Sequence, residues 1–311
     1  MSNSARAFQA FVRYAGRLLV PEVMRSMEQE RVVPGGEDVS FAPAEVPLSY
    51  YLEIEDNGSD VTIFSFAGMA VLFAGMPKFE FRNLLQTSKK TYNFVFVRDP
   101  HRACYFQAPD GSNRGQEFFE CIVSEAKAKL GSTYNVALGA SGGGWEAFFL
   151  GCKLQFQQII AFAPGFPPEV YLSIGSQLRT YFDLPKLVRH PSAYLEMVLV
   201  ALGAKYVNRR VQRLGIVEFP DLLELYRQTD PKPRATIFYG THCRPDRMTA
   251  LHAAKEGIIT RGIDSQRHNC AADLKARGLL GKSILEEIEI GLSQFNSKQE
   301  ATARGERLSA I

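Results

Sequence analysis

The residues best suited to chemistry lie in Tyr134-Asn135-Val136-Ala137-Leu138-Gly139-Ala140-Ser141-Gly142-Gly143-Gly144-Trp145-Glu146-Ala147. An apolar run, Tyr134 to Ala140, ends in small residues, and a helix-like run, Trp145 to Leu154, follows. Between them stands Gly139-x-Ser141-x-Gly143, the pattern of a strand turning sharply into a helix with a serine at the tip. Such a turn holds its serine in an unfavourable backbone geometry. Glycines at 139 and 143 remove side chains that would collide where strand and helix approach. The helix start aims N–H groups, that of Gly142 among them, at an oxyanion forming beside Ser141. A glycine-rich loop that only packs a helix on a sheet would share the pattern. A phosphate-binding loop does not fit, because no lysine follows and the Walker spacing is absent.

The elements that must position this serine follow from periodicity and turn chemistry. Leu48 to Glu55 and Val61 to Phe66 read as strands. Asp56-Asn57-Gly58-Ser59 between them is a hairpin signal, so an antiparallel pair is expected to open the sheet. Tyr92 to Val97, Tyr134 to Ala140, Ile159 to Ala163, Ala235 to Tyr239 and Ile258 to Ile263 are further strands. Helices are expected over Glu117 to Leu130, Met248 to Lys255, Ala271 to Arg277 and Lys282 to Phe295, the last capped by Ser283. Strands alternating with helices give an α/β fold with a mostly parallel central sheet and helices on both faces. Residues 48–169 and 229–296 form this core. Residues 170–228 are helical, with Ser192 to Leu202 and Pro220 to Gln228 as the clearest stretches, and form a cap insertion; packing helices between two strands would give the same pattern. The tail, residues 297–311, is polar and expected to be disordered.

A serine hydroxyl is a poor nucleophile at neutral pH. It needs a base within hydrogen-bond reach, and that base needs an orienting acid. On this architecture the order along the chain is serine, acid, histidine. The strand Ala235 to Tyr239 is followed by Gly240-Thr241-His242-Cys243-Arg244-Pro245-Asp246, and Ile258 to Ile263 by Asp264-Ser265-Gln266-Arg267-His268-Asn269. Both places lie past the C-terminal ends of strands, where sites in open α/β sheets collect. Asp246 and His268 fill the two roles, with Asp264 as an alternative acid and His242 as an alternative base. His101 follows Asp99-Pro100 at a strand end and is a pocket candidate or a plain loop residue. His190 and His252 read as structural, Cys243 and Cys270 as buried packing residues, and Arg98 and Asp99 as a mutual pair. No His, Cys or Asp spacing supports a metal site, and no cofactor motif is present.

With these residues in place the chain resembles the α/β-hydrolase superfamily over Leu48 to Phe295. Within it the chain is similar to bacterial proteins, often predicted to be esterases, that are found with cell-surface polysaccharide biosynthesis. The matching pieces are Val95-Phe96-Val97-Arg98-Asp99, Leu138 to Ala147, Ala161-Phe162-Ala163-Pro164 and His268-Asn269-x-Ala271-x-x-Leu274-Lys275. The extra Gly144 departs from the superfamily pattern and is expected to loosen the helix start. The resemblance implies Ser141 as nucleophile, His268 as general base, Asp246 as orienting acid and the Gly142 N–H as an oxyanion donor. A second donor is implied in the loop after Val61 to Phe66, at Met69 or, second in order, Ala67. The implied reaction is acyl transfer from an ester or thioester to Ser141 followed by release of the acid by water, with a small-molecule or glycan-linked acyl substrate. An acyltransferase using the same triad, or a non-catalytic binding protein on the same scaffold, is the alternative.

Composition is that of an ordinary globular chain: 46% of 311 residues are hydrophobic and 22% charged. A net charge of +3 without a basic block argues against nucleic acid. Five scattered cysteines, odd in number and without C-x-x-C, point to a reducing compartment, hence a cytoplasmic location. Residues 1–47 read as a helix and linker. Phe8, Phe11, Val12, Ala15, Leu18 and Leu19 form an apolar face opposite Arg6, Arg13 and Arg17, a pattern suited to packing on its own domain or to peripheral membrane contact.

Overall fold

In the computed structural model, residues 47–68, 81–87, 92–101, 103–165, 188–216 and 218–309 are described. The expected N-terminal amphipathic helix falls outside them. Seven strands form one sheet: β1 (Leu52–Glu55), β2 (Val61–Phe66), β3 (Asn93–Val97), β4 (Tyr134–Ala140), β5 (Gln158–Phe162), β6 (Arg234–Gly240) and β7 (Ile259–Ile263). Their order is β1-β3-β2-β4-β5-β6-β7. Every neighbouring pair is parallel except β1 with β3. The helices are α1 (Arg82–Thr87), α2 (Gly115–Leu130), α3 (Gly142–Lys153), α4 (Pro191–Arg213), α5 (Leu222–Gln228), α6 (Arg244–Lys255), α7 (Cys270–Ala276) and α8 (Leu280–Ser309).

The interior strands are apolar on both faces, as a parallel sheet covered on both sides requires. Alternate side chains divide between two layers. Phe64, Phe66, Val95, Val97, Ala137, Ile159 and Ile237 join Phe119 and Val123 of α2, Phe148 and Leu150 of α3, and Leu222 and Tyr226 of α5. Ile63, Phe94, Phe96, Val136, Leu138, Ile160, Phe162 and Phe238 point the other way, to Leu85 of α1, Leu274 of α7 and Ile284 and Ile288 of α8. Each large apolar side chain so buried contributes about 2 kcal/mol, so these two layers hold the strand ends that carry the site.

The expected hairpin is corrected. β1 lies antiparallel to β3, with Leu52 opposite Val97, and β2 is not its neighbour. Composition explains the exchange. All six residues of β2 are buried, which suits an interior parallel position, whereas Leu-Glu-Ile-Glu in β1 is only half-buried and suits an edge. The Asn-Gly turn is pinned instead to the entry of β3: Asn57 N–H donates to Asn93 Oδ1 at 2.8 Å and Asn57 Nδ2 to the Tyr92 carbonyl at 2.8 Å.

The C-terminus is corrected as well. α8 begins at Leu280, so Ser283 lies inside the helix, its N–H bonded to the Leu279 carbonyl, and is not a cap. The helix also continues to Ser309, where a disordered tail is expected. A polar stretch lacking proline is as compatible with a solvated helix as with disorder, and Thr302 Oγ1 donates back to the Lys298 carbonyl at 3.0 Å.

Glu287 fastens α8 to the sheet. Its buried carboxylate accepts from Arg234 at 2.7 Å, Thr236 Oγ1 at 3.1 Å and Arg261 at 2.8 Å. Burial alone would raise its pKa. The two guanidinium groups outweigh burial and hold the carboxyl below the usual range. Stability from this pairing is therefore present above the unfolded-state pKa and is lost as pH falls through the lower folded one. Glu287→Ala is expected to destabilise the protein by about 3 kcal/mol in urea unfolding, and to remove part of the stability loss on acidification.

Candidate active site

β4 delivers Ser141 at the C-terminal edge of the sheet. Its backbone is at φ 51° and ψ −120°, a left-handed conformation that a residue with a side chain rarely adopts. Strain of this kind amounts to about 1–3 kcal/mol. The surroundings enforce it: Ser141 N–H donates to the Phe162 carbonyl at 2.8 Å, and the Ser141 carbonyl accepts from Trp145 N–H at 3.0 Å. A Cβ on Gly139 would lie 2.2 Å from the Gly143 carbonyl oxygen, and one on Gly143 would lie 2.1 Å from that of Phe66. No side chain fits at either place. Gly144 does not loosen the helix start, because α3 runs unbroken from Gly142 and packs residue 144 against Pro164. As the first helical residue, Gly142 has no carbonyl one turn back for its N–H.

The other two predicted side chains meet this serine. Ser141 Oγ is 2.9 Å from His268 Nε2, and His268 Nδ1 is 2.9 Å from Asp246 Oδ1. Asp246 and His268 are buried; Ser141 is half-buried. Asp246 stands in the first turn of α6 rather than in a free loop, behind Pro245 near the helix start. His268 precedes Asn269, whose side chain accepts from Ala272 N–H and caps α7. A proton on Nδ1, where the carboxylate accepts it, leaves Nε2 as acceptor for the serine hydroxyl. Burial disfavours the imidazolium. The Asp246 carboxylate outweighs it by charge and hydrogen bond, Glu196 adds to this, and the His268 pKa is held above the usual 6.5.

The rival assignments find other partners. His242 Nε2 is 3.1 Å from Asp264 Oδ1, and this pair is exposed, so the alternative base and the alternative acid hold each other at the surface. His101 is buried and bonded to the Tyr51 hydroxyl at 2.7 Å. His190 and His252 are exposed and not core residues. Cys243 and Cys270 are buried, and burial pushes both thiols well up, with Asp246 reinforcing the effect. Arg98 reaches the Tyr50 carbonyl, and the Asp99 carboxylate collects the N–H groups of His101, Ala103 and Tyr105 at 2.9, 2.6 and 2.9 Å.

Of the two candidates for the second oxyanion donor, Met69 lies outside the described residues. Ala67 is ruled out as donor, because its N–H is bonded to the Val97 carbonyl at 2.8 Å. Its carbonyl accepts the Tyr105 hydroxyl at 2.7 Å, so both backbone groups at the end of β2 are engaged. One buried side chain beside His268, Glu196 of α4, escapes sequence reasoning, since a lone acid in a helical stretch carries no signature.

No protein-family model matches the chain, and no curated protein matches it. Solved structures do. The chain is similar to inhibited esterase B from Lactobacillus rhamnosis in two structures. One has 13% identity, 95% of this chain and 98% of the other covered, and a TM-score of 0.54. The second has 14% identity, coverage of 94% and 99%, and a TM-score of 0.53. A capsule O-acetyltransferase of Neisseria meningitidis serogroup A aligns at 19% identity over 76% of this chain and 90% of the other, with a TM-score of 0.45.

Gly143→Ala tests the turn. Backbone atoms of Phe66 cannot step aside for a methyl group, so a loss of about 3 kcal/mol is expected in denaturant unfolding. A variant as stable as wild type would contradict the close approach.

Proposed function

The chain has the α/β-hydrolase fold, and we propose that on it the protein is a serine hydrolase that cleaves an ester or thioester through an acyl-enzyme on Ser141. The observation that carries this reading is the hydrogen-bonded row Ser141–His268–Asp246, with 2.9 Å at each link and the serine on a strained turn. Three residues 22 to 127 positions apart do not reach such an arrangement through packing needs alone.

In this reading Ser141 Oγ attacks the acyl carbon while its proton passes to His268 Nε2. The N–H of Gly142 stabilises the oxyanion, and Met69, outside the described residues, is the proposed source of a second donor. Collapse expels the alcohol or thiol, which takes that proton. A water then gives a proton to His268 and its oxygen attacks the acyl carbon. The proton returns to Ser141 as the acid leaves. Asp246 keeps the proton on Nδ1 and stabilises the imidazolium throughout. Within the insertion expected over residues 170–228, α4 serves as a cap element, a role supported by Glu196, which touches the histidine loop, whereas α5 packs in the core layer and residues 170–187 lie outside those described. The substrate is a small-molecule or glycan-linked acyl group, and the unbridged cysteines support a cytoplasmic setting. No helix among the described residues is long and apolar enough to cross a membrane.

A fluorophosphonate probe should label the wild-type protein and leave Ser141→Ala unlabelled; labelling of that variant would refute the assignment. Asp246→Asn should slow labelling by on the order of a thousandfold or more. His242→Ala and Asp264→Asn should leave it unchanged, because those two residues bond each other at the surface. Product analysis with an added alcohol distinguishes hydrolysis from acyl transfer: free acid is expected, and a new ester as main product would make the protein an acyltransferase.

The pH dependence follows from the raised His268 pKa. The base works only when neutral, so kcat/KM should climb with pH through a pKa above 6.5 and then level. In Asp246→Asn the carboxylate no longer favours the imidazolium, and the acid limb should move to lower pH. An unmoved limb would mean that another group titrates.

A further inference from the structure

Glu196 of α4 is 2% exposed, and its charge is offset only in part, by His268 and Arg267. Oε1 accepts the N–H of Asn269 at 2.8 Å. Among the described residues Oε2 has no hydrogen-bond partner, and Arg267 Nε stands 4.0 Å away, outside hydrogen-bond reach. Burying a carboxylate with one donor is unfavourable, and an apolar side chain of similar size would fill the space better. Packing therefore does not account for this residue.

Its contact is informative. The N–H it holds belongs to the peptide immediately after His268, and rotation of that peptide would swing the Cα–Cβ bond that carries the imidazole. The other constraints stand on either side: the His268 carbonyl accepts from Cys270 N–H at 2.8 Å, and the Asn269 side chain accepts from Ala272 N–H at 3.1 Å. The next residue of α4, Met197, places its sulfur 3.7 Å from that of Cys243, three residues before Asp246. One helix of the insertion thus touches the segments that carry both the base and the acid.

We propose that Glu196 is a positioning residue for His268, fixing the ring toward Ser141 by holding the Asn269 N–H from the insertion. This rests on the reading of His268 as the base. Glu196 acts through the peptide and does not touch the reacting atoms. Burial raises its pKa, with the Asn269 N–H and the charge of His268 acting against that rise. A glutamine keeps an oxygen for Asn269, whereas a leucine offers none.

The test compares wild type, E196Q and E196L by the rate of fluorophosphonate labelling, the unfolding midpoint, and the proton resonance of His268 Nδ1 in NMR. E196Q should label within about twofold of wild type and E196L about tenfold more slowly. The E196L midpoint should fall modestly, because the Asn269 N–H is left without its acceptor, with the protein still folded at the assay temperature. A loss of rate of about tenfold in protein that is still fully folded at the assay temperature, rescued by glutamine, is a split that a merely structural role would not produce. Equal rates in all three proteins, or equal slowing in both variants, would overturn the proposal. The Nδ1 resonance should persist in E196Q and broaden or vanish in E196L; its persistence in E196L would overturn the proposal independently of labelling. Should E196L fail to fold, E196A removes the acceptor with less bulk and carries the same expectations. A wild-type protein that does not label would refute the assignment of Ser141 instead, and the resonance would still decide the role of Glu196.

Discussion

Where α3 leaves the sheet, its backbone passes so close to the end of β2 that a methyl group at residue 143 would lie 2.1 Å from the Phe66 oxygen. The rest of the site depends on this approach. It fixes the angle at which α3 departs from β4, and with it the left-handed backbone of Ser141 and the direction of the Gly142 N–H. It also sets the end of β2, from which the second donor of the proposed oxyanion pocket would come. The strain at Ser141 persists because two apolar layers, one on each face of the sheet, leave these backbones no room to separate.

The second half of the site is brought in by the far strands. Parallel pairing of β5 with β6 and of β6 with β7 puts the ends of all three strands on the same edge as Ser141. Asp246 enters on the first turn of α6 and His268 just before α7. Both side chains are therefore attached to helix starts rather than to long loops. That placement suits a pair whose hydrogen bond must hold one ring orientation.

Much of this was legible in the chain because the signals are local. Gly139-x-Ser141-x-Gly143 encodes its own backbone collision, and the strand runs around it are predominantly apolar. Asp246 and His268 were legible from their places after strands. What the chain did not reveal depends on distant partners. The Asn57-Gly58 turn looks like a hairpin in isolation, and only the docking of Asn93 against it shows that β3 enters beside β1. Asp264 and His242 read as rivals in the chain, and only their mutual contact at the surface sets them apart from the Ser141 row. Polarity alone could not tell a solvated helix from a disordered tail after Ser297, and the significance of Glu196 exists only in the contact between α4 and the segment after β7.

Ala67 has a further consequence. A hydroxyl from Tyr105 and a carbonyl from Val97 grip its two backbone polar groups, and Tyr105 is itself set by the Asp99 carboxylate. The end of β2, beside the proposed oxyanion pocket, is thus held by hydrogen bonds made on folding. Dipoles arranged in advance need no reorientation as negative charge develops. On the proposed reading, the work of organising that end of β2 falls on folding, and turnover would inherit a boundary that it does not have to build.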